Sequence, residues 1–380
     1  MMERFIIWKR FSLVRVLLLA GLLGCVHDKL DGPDQLGKVI DIELVIPGFE
    51  VPLTRSIEGD NGEAAVRELD LLFFDQSTPS AKLFRHLNVI DFRQESSGAD
   101  YKVKFSLNLT KDDQVGLIVV VVNAAGAVRH ALESNPADAE KQDILKALTF
   151  NTFKDENDSY KWNVRVPGYT PLPMYGEVVM EGLVPGYIVS VSLTWMLARV
   201  DVENKVSGEI FKLEEIYLVN YNTSGYIAPK WNETDGVLVP NPYATNENPM
   251  IPVPSGKQPG VEEAAMKYEY KQAINAPGAL MAGEIYTYEA VKNVKDDPGN
   301  GVCLIIKGKY MGEDYYYRVD FTLESELPID IAYMPLYRNH KYVVTVTDAE
   351  GIGYRTFEEA LRSFGVLSNL KTSILVVNLK

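Results

Sequence analysis

The stretch Val39-Ile40-Asp41-Ile42-Glu43-Leu44-Val45-Ile46 decides the class of fold. Apolar side chains at 40, 42, 44 and 46 share one face of an extended chain, and Asp41 and Glu43 share the other. Pro47-Gly48 then stops the strand. The same grammar recurs downstream. Residues 69–74 form an apolar run, 101–109 put Val103, Phe105 and Leu107 on one face, and 116–122 are nearly all β-branched. The second half offers strands at 210–220, 285–290, 302–310, 315–323 and 341–347, with a hairpin around Lys309-Tyr310-Met311-Gly312-Glu313-Asp314. The long run 187–202 reads as one strand that ends a first domain and leads into a second.

Helical signals are few. Residues 127–150 carry Leu132, Ile144, Leu145 and Leu148 among charges, and Asn135-Pro136 divides them into two helices. Thr356-Phe357-Glu358-Glu359 has the spacing of a capping box that opens a short helix through Ser363. So few helices cannot cover a parallel sheet, and the pattern predicts β-sandwiches with short helices in the connections. With 380 residues the chain holds two such domains. Their boundary falls near 204–208, giving 56–205 and 206–380. A proline-rich, weakly periodic stretch at 229–259 reads as a long loop.

The composition is 46% hydrophobic and 10% aromatic, enough to bury a core. Against 38 Lys and Arg stand 52 Asp and Glu, a net charge of −14, so the surface repels phosphate backbones and nucleic acid is excluded as a partner. The first residues differ from the rest. Arg4, Lys9, Arg10 and Arg15 precede the apolar run 16–23, which is too short to span a bilayer and reads as a secretion signal over 1–24. It ends Leu22-Leu23-Gly24-Cys25, a sequence that resembles a bacterial lipobox, with Cys25 as the lipidated residue. The one cysteine left, Cys303, sits in an apolar strand and reads as an inert core residue.

The search for chemistry returns little. The acid pairs Glu214-Glu215, Glu262-Glu263 and Glu358-Glu359 read as solvated surface, and His130 and His340 as surface or turn residues without a partner at metal-ligand spacing. Asp296-Asp297-Pro298-Gly299-Asn300-Gly301 reads as a turn rather than a calcium loop, and Ser255-Gly256-Lys257 as loop. No catalytic residue, metal site or cofactor is expected. One linker feature stands out. Arg55-Ser56 lies in a Gly-, Asp- and Glu-rich connector over 49–64, as an accessible site for a trypsin-like protease would.

Several motifs, taken in order, resemble the fimbrillins, the FimA/Mfa-like family of lipoprotein-borne pilus subunits. They are Leu69-Asp70-Leu71-Leu72-Phe73-Phe74-Asp75, Val120-Val121-Val122-Asn123-Ala124, Ala198-Arg199-Val200-Asp201-Val202, Leu218-Val219-Asn220-Tyr221, Tyr315-Tyr316-Tyr317-Arg318-Val319, Arg338-Asn339-His340-Lys341-Tyr342 and Gly351-Ile352-Gly353-Tyr354. The resemblance implies two transthyretin-like β-sandwich domains and a precursor carried to the outer membrane by the lipid on Cys25. An arginine-specific protease then cuts after Arg55, ahead of Ser56, and releases a propeptide over 25–55. The strand that leaves is 39–46, with Val39, Ile40, Ile42, Leu44 and Ile46. Its groove receives the strand 373–380 of another subunit, with Ile374, Leu375, Val376, Val377 and Leu379. The implied product is a cell-surface fimbria that contributes to adhesion, with other fimbrial subunits as partners. The alternative is a non-polymerising outer-membrane lipoprotein, either a pilus anchor or a glycan-binding β-sandwich using Tyr226, Trp231 and Tyr243.

Overall fold

Alternating and β-branched runs dominate the sequence, and strands dominate the computed structural model. It describes residues 38–46, 63–97, 100–109, 114–151, 162, 171–180, 188–229, 262–270, 279–290, 301–323, 332–365 and 368–378. In chain order the first strands are β1 (Lys38–Ile46), β2 (Leu69–Phe74), β3 (Leu83–Asn88), β4 (Arg93–Ser97), β5 (Asp100–Leu109) and β6 (Leu117–Val122). Helices α1 (Ala125–Glu133) and α2 (Lys141–Ala147) precede β7 (Thr149–Asn151), β8 (Met174–Val179), β9 (Ile188–Ser192) and β10 (Thr194–Trp195). Next come β11 (Leu197–Asn204), β12 (Phe211–Val219), β13 (Ser224–Tyr226), β14 (Met266–Glu269) and β15 (Ala279–Tyr288). The remainder is β16 (Cys303–Tyr310), β17 (Glu313–Asp320), β18 (Thr322–Leu323), β19 (Ala332–Tyr333), β20 (His340–Ala349), α3 (Phe357–Arg362) and β21 (Leu370–Asn378).

Four of the sheets pair into two sandwiches. The sheet β4-β5-β1-β9 and the sheet β10-β8-β6-β2-β3 enclose one core, in which Ile42, Leu44 and Val103 meet Leu71, Phe73 and Val120. The sheet β15-β11-β20-β21 and the sheet β14-β12-β16-β17 enclose a second, around Val200, Val344, Ile216 and Ile306. Every residue of β2 and β6 is buried, and α1 packs on both strands. The mainly β, sandwich class read from the sequence therefore holds.

Several local signals hold as well. The helical stretch breaks between Glu133 and Lys141, around Asn135-Pro136. The β16–β17 hairpin turns at Met311 and Gly312, whose φ values of 50° and 93° are those of a two-residue turn that favours glycine. Thr356 Oγ1 accepts from the Glu359 amide at 3.2 Å and the Glu359 carboxylate accepts from the Thr356 amide at 3.2 Å, a complete capping box. Cys303 is fully buried.

Other readings need correction. The run 187–202 is three strands in three sheets, β9, β10 and β11, not one. Its backbone changes partner at each step. The Leu193 amide donates to Val45 O at 2.8 Å and the Met196 amide to Pro173 O at 3.1 Å. Each piece faces a core, so the apolar composition never falls and the breaks leave no mark. The chain passes to the second pair of sheets at Met196, so β11 lies ahead of the expected boundary at 205/206. The expected strand 285–290 begins at Ala279, and 315–323 divides into β17 and β18. β21 begins at Leu370, three residues before the expected 373. Glu214 and Glu215 share a face, because a bulge interrupts β12 between Leu213 and Glu215. Both acids then meet lysines of β16, Glu214 with Lys309 at 3.3 Å and Glu215 with Lys307 at 3.4 Å. His340 is buried rather than superficial, its Nδ1 2.7 Å from Arg338 O. The 229–259 loop beyond residue 229, the turn at 296–300 and Ser255-Gly256-Lys257 lie outside the described residues.

Candidate functional site

The element singled out by its alternation, β1, is an inner strand. It runs antiparallel to β5, with Ile40 opposite Leu107, Ile42 opposite Phe105 and Leu44 opposite Val103. On its other side it runs parallel to β9, from Asp41 opposite Ile188 to Val45 opposite Ser192. Ile40, Ile42, Leu44 and Ile46 point into the first core, each exposed by 5% or less. Val39, grouped with them on sequence, is on the outer face and half exposed. That face is polar. Ser106 Oγ donates to Asp41 at 2.6 Å and Lys102 Nζ to Glu43 at 2.8 Å.

This position sets the energy at stake. Four aliphatic side chains at about 1.5–3 kcal/mol each place about 6–12 kcal/mol of burial in β1, comparable with the net stability of a domain. Among the described strands β9 pairs with β1 and no other, so β1 also holds β9 in the sheet. A strand that replaced β1 would have to lie antiparallel to β5 and parallel to β9, with apolar residues at alternate positions.

The chain is pinned again at the end of the connector, by Glu63. Arg199 and Asp201 share a face of β11, where two hydrogen bonds of 2.7 and 2.9 Å join the guanidinium to the carboxylate. Arg199 Nη1 reaches Glu63 at 2.9 and 3.2 Å, and Tyr286 Oη donates to the same carboxylate. Burial pulls the Arg199 pKa down, but Asp201 and Glu63 outweigh it and raise it, so the guanidinium stays charged. The Gly283 amide, at φ +67°, donates to Asp201 at 3.0 Å, where the β11–β15 register shifts. Sequence reasoning quoted Arg199 and Asp201 as a motif but missed Glu63. Its acidic side chain in a polar connector carries no signal of a partner 136 positions away.

β21 has a different character. It is the edge strand of its sheet and pairs antiparallel with β20, Val376 opposite Tyr342 and Ile374 opposite Val344. Ile374 and Val376 pack against the second core. Leu375, on the other face, is 63% exposed, and Val377 packs against the first core. Apolar side chains on both faces of an unprotected edge are uncommon in a soluble sheet, where charges usually blunt the edge. Of the residues singled out on sequence, Cys25, Arg55, Ser56, Trp231, Tyr243 and Leu379 lie outside the described residues. β1 and β21 are both described, in different sheets.

Among the described residues no three His, Cys, Asp or Glu side chains converge as metal ligands would. One open cleft of about 690 Å³ lies between β3 and α1, lined by Asp70, His86, Phe92 and Arg129 among others. The arrangement offers strand pairing and surface recognition.

No family model matches the chain, and no curated protein does. Solved structures do. A putative cell adhesion protein from Bacteroides eggerthii is 16% identical, with a TM-score of 0.48, over 90% of this chain and 96% of that one. A fimbrial assembly protein from Parabacteroides distasonis is 12% identical, with a TM-score of 0.42, over 91% and 97%. The tip fimbrial protein Mfa3 from Porphyromonas gingivalis, with a C-terminal truncation, is 15% identical, with a TM-score of 0.46, over 88% and 99%.

Proposed function

We propose that the chain is the precursor of a fimbrial subunit at the cell surface, carried to the outer membrane by lipid on Cys25 and assembled by strand replacement. In this reading the chain has two transthyretin-like sandwich domains that meet at Met196. An arginine-specific protease cuts after Arg55, β1 leaves, and β21 of another copy or another subunit fills the groove between β5 and β9. The observation that carries the reading is the position of β1. It is a core strand whose sequence link to the rest of the domain runs through the segment 47–62, which contains Arg55. The exposed Leu375 on the edge strand β21 supports it.

The tether supplies the control. While 47–62 is intact, β1 competes for its own groove at an effective concentration of about millimolar or more. A β21 strand at micromolar concentration then loses by about a thousandfold, or ~4 kcal/mol. Cutting the tether removes that advantage. A donor strand on one copy and a groove on the next form a head-to-tail contact that propagates into a filament.

The test is digestion of wild type and Arg55→Ala with a trypsin-like protease, followed by denaturing gels without boiling. Wild type builds a ladder of oligomers after a mass loss that matches cleavage behind residue 55, and the variant stays monomeric. Equal ladders from a variant that retains residues 26–55 would overturn the proposal, and a monomeric wild type after complete cleavage would favour the non-polymerising lipoprotein.

A further inference from the structure

Asp70, in the Leu69–Phe74 strand, has no part in strand exchange, yet it forms a buried polar centre at the floor of the open cleft between β3 and α1. His86 Nε2 lies 2.8 Å from Asp70 Oδ1 and Asn88 Nδ2 donates to the same oxygen at 3.3 Å. A carboxylate only accepts, so His86 donates to it from Nε2, and in the neutral ring Nδ1 is then an acceptor. Asp70 Oδ2, also buried, has no hydrogen-bond partner among the described residues. A buried carboxylate oxygen left unpaired is costly, so Asp70 is held at a cost where it fixes His86 and Asn88 at the cleft.

The walls narrow the class of ligand. Arg67 and Arg129 line the cleft together with the acids Glu68 and Glu133, so its charges are mixed rather than of one sign. Phe92 and Leu132 are half-buried there, and Ile90 is 89% exposed. Planar hydrogen-bonding side chains beside a strip of apolar surface suit a ring that presents hydroxyls at its rim and C–H groups on its face. The cleft volume, about 690 Å³, falls in the ordinary range for small-ligand sites. A peptide would be expected to add to the free edge of β3, whereas Asp70, His86 and Asn88 act through side chains on the face of the sheet.

We propose that the cleft between β3 and α1 binds a neutral oligosaccharide. Asp70 fixes the His86 ring and the Asn88 amide from below, His86 Nδ1 accepts a hydroxyl proton, Asn88 and Arg129 donate to ring or hydroxyl oxygens, and Phe92 and Ile90 carry the apolar face of the sugar. No lining residue lies on β1 or β21, so this proposal and strand replacement stand or fall separately.

The purified full chain is applied to an array of immobilised neutral, sialylated and sulfated oligosaccharides, with acidic and basic peptides on the same surface. The best-retained neutral glycan is then titrated against wild type, Asn88→Ala and Arg129→Ala. Asn88 and Arg129 are exposed, so both variants keep the fold, which an unchanged melting temperature verifies. Retention of a neutral glycan is expected, with affinity falling about tenfold in each variant, the loss of one polar contact. No retention, retention confined to acidic glycans or peptides, or undiminished binding by both variants would overturn the proposal.

Discussion

Replacing Leu44 by alanine tests whether β1 is a removable part of the core. Leu44 is fully buried, opposite Val103 on β5 and beside Val191 on β9. A buried Leu→Ala change costs about 2–5 kcal/mol, from lost transfer energy and the cavity left behind. For a sandwich of this size each kcal/mol lowers the melting temperature by about 2–4 °C, so the uncleaved protein melts about 4–20 °C below wild type. The loss has a second signature. Once the connector is cut and the subunits have assembled, residue 44 has left the groove, and variant and wild-type oligomers dissociate at the same temperature. Circular-dichroism melts of the uncleaved protein and heated gels of the oligomers read the two quantities. Uncleaved proteins that melt within about 1 °C of each other would remove β1 from the core. An equal loss in the oligomers would show that β1 never leaves.

Two further predictions follow from particular side chains. Burial holds the His340 imidazole below its usual 6.5, against a smaller opposing effect of its hydrogen bond to Arg338 O. The folded state therefore binds fewer protons than the unfolded one between the lowered value and 6.5. His340 contributes stability that is present above 6.5 and lost as pH falls through the folded value, so urea denaturation of His340→Gln shows a shallower acid slope than wild type. Leu375→Asp alters an exposed residue of β21, so the monomer changes by no more than about 0.5 kcal/mol. Its strand would carry a charge toward any groove it enters, so the cleaved variant forms shorter ladders than wild type on unboiled gels.

Much of the fold was legible where one side chain in two meets a core. β1, β2, β5 and β6 were found within a residue or two, because a β-branched or alternating run bounded by turn residues has one stable use. β4, with sequence RQESS, holds no apolar residue and is a strand only because β5 pairs with it. β3 interleaves Arg85, His86 and Asn88 with its apolar residues, and β8 carries Gly176, so neither raised a strand signal. The site divides in the same way. The apolar face of β1 was legible, whereas the partnership of Glu63 with Arg199 joins a turn to a distant strand and that of Asp70 with His86 depends on sheet pairing, neither of which a local pattern encodes.

The claim that β1 must leave before subunits join is tested most directly by locking it in place. Asp41 and Ser106 are register partners on the outer face of β1 and β5, with side chains 2.6 Å apart at their hydrogen bond. A disulfide between Asp41→Cys and Ser106→Cys would bridge the strands, and Cys303, being buried, would stay out of the exchange. After complete cleavage behind Arg55, the oxidised protein should remain monomeric on unboiled gels and build a full ladder once reductant is added. A full ladder from the oxidised protein, with the 41–106 bridge verified by mass, would contradict strand replacement in this groove.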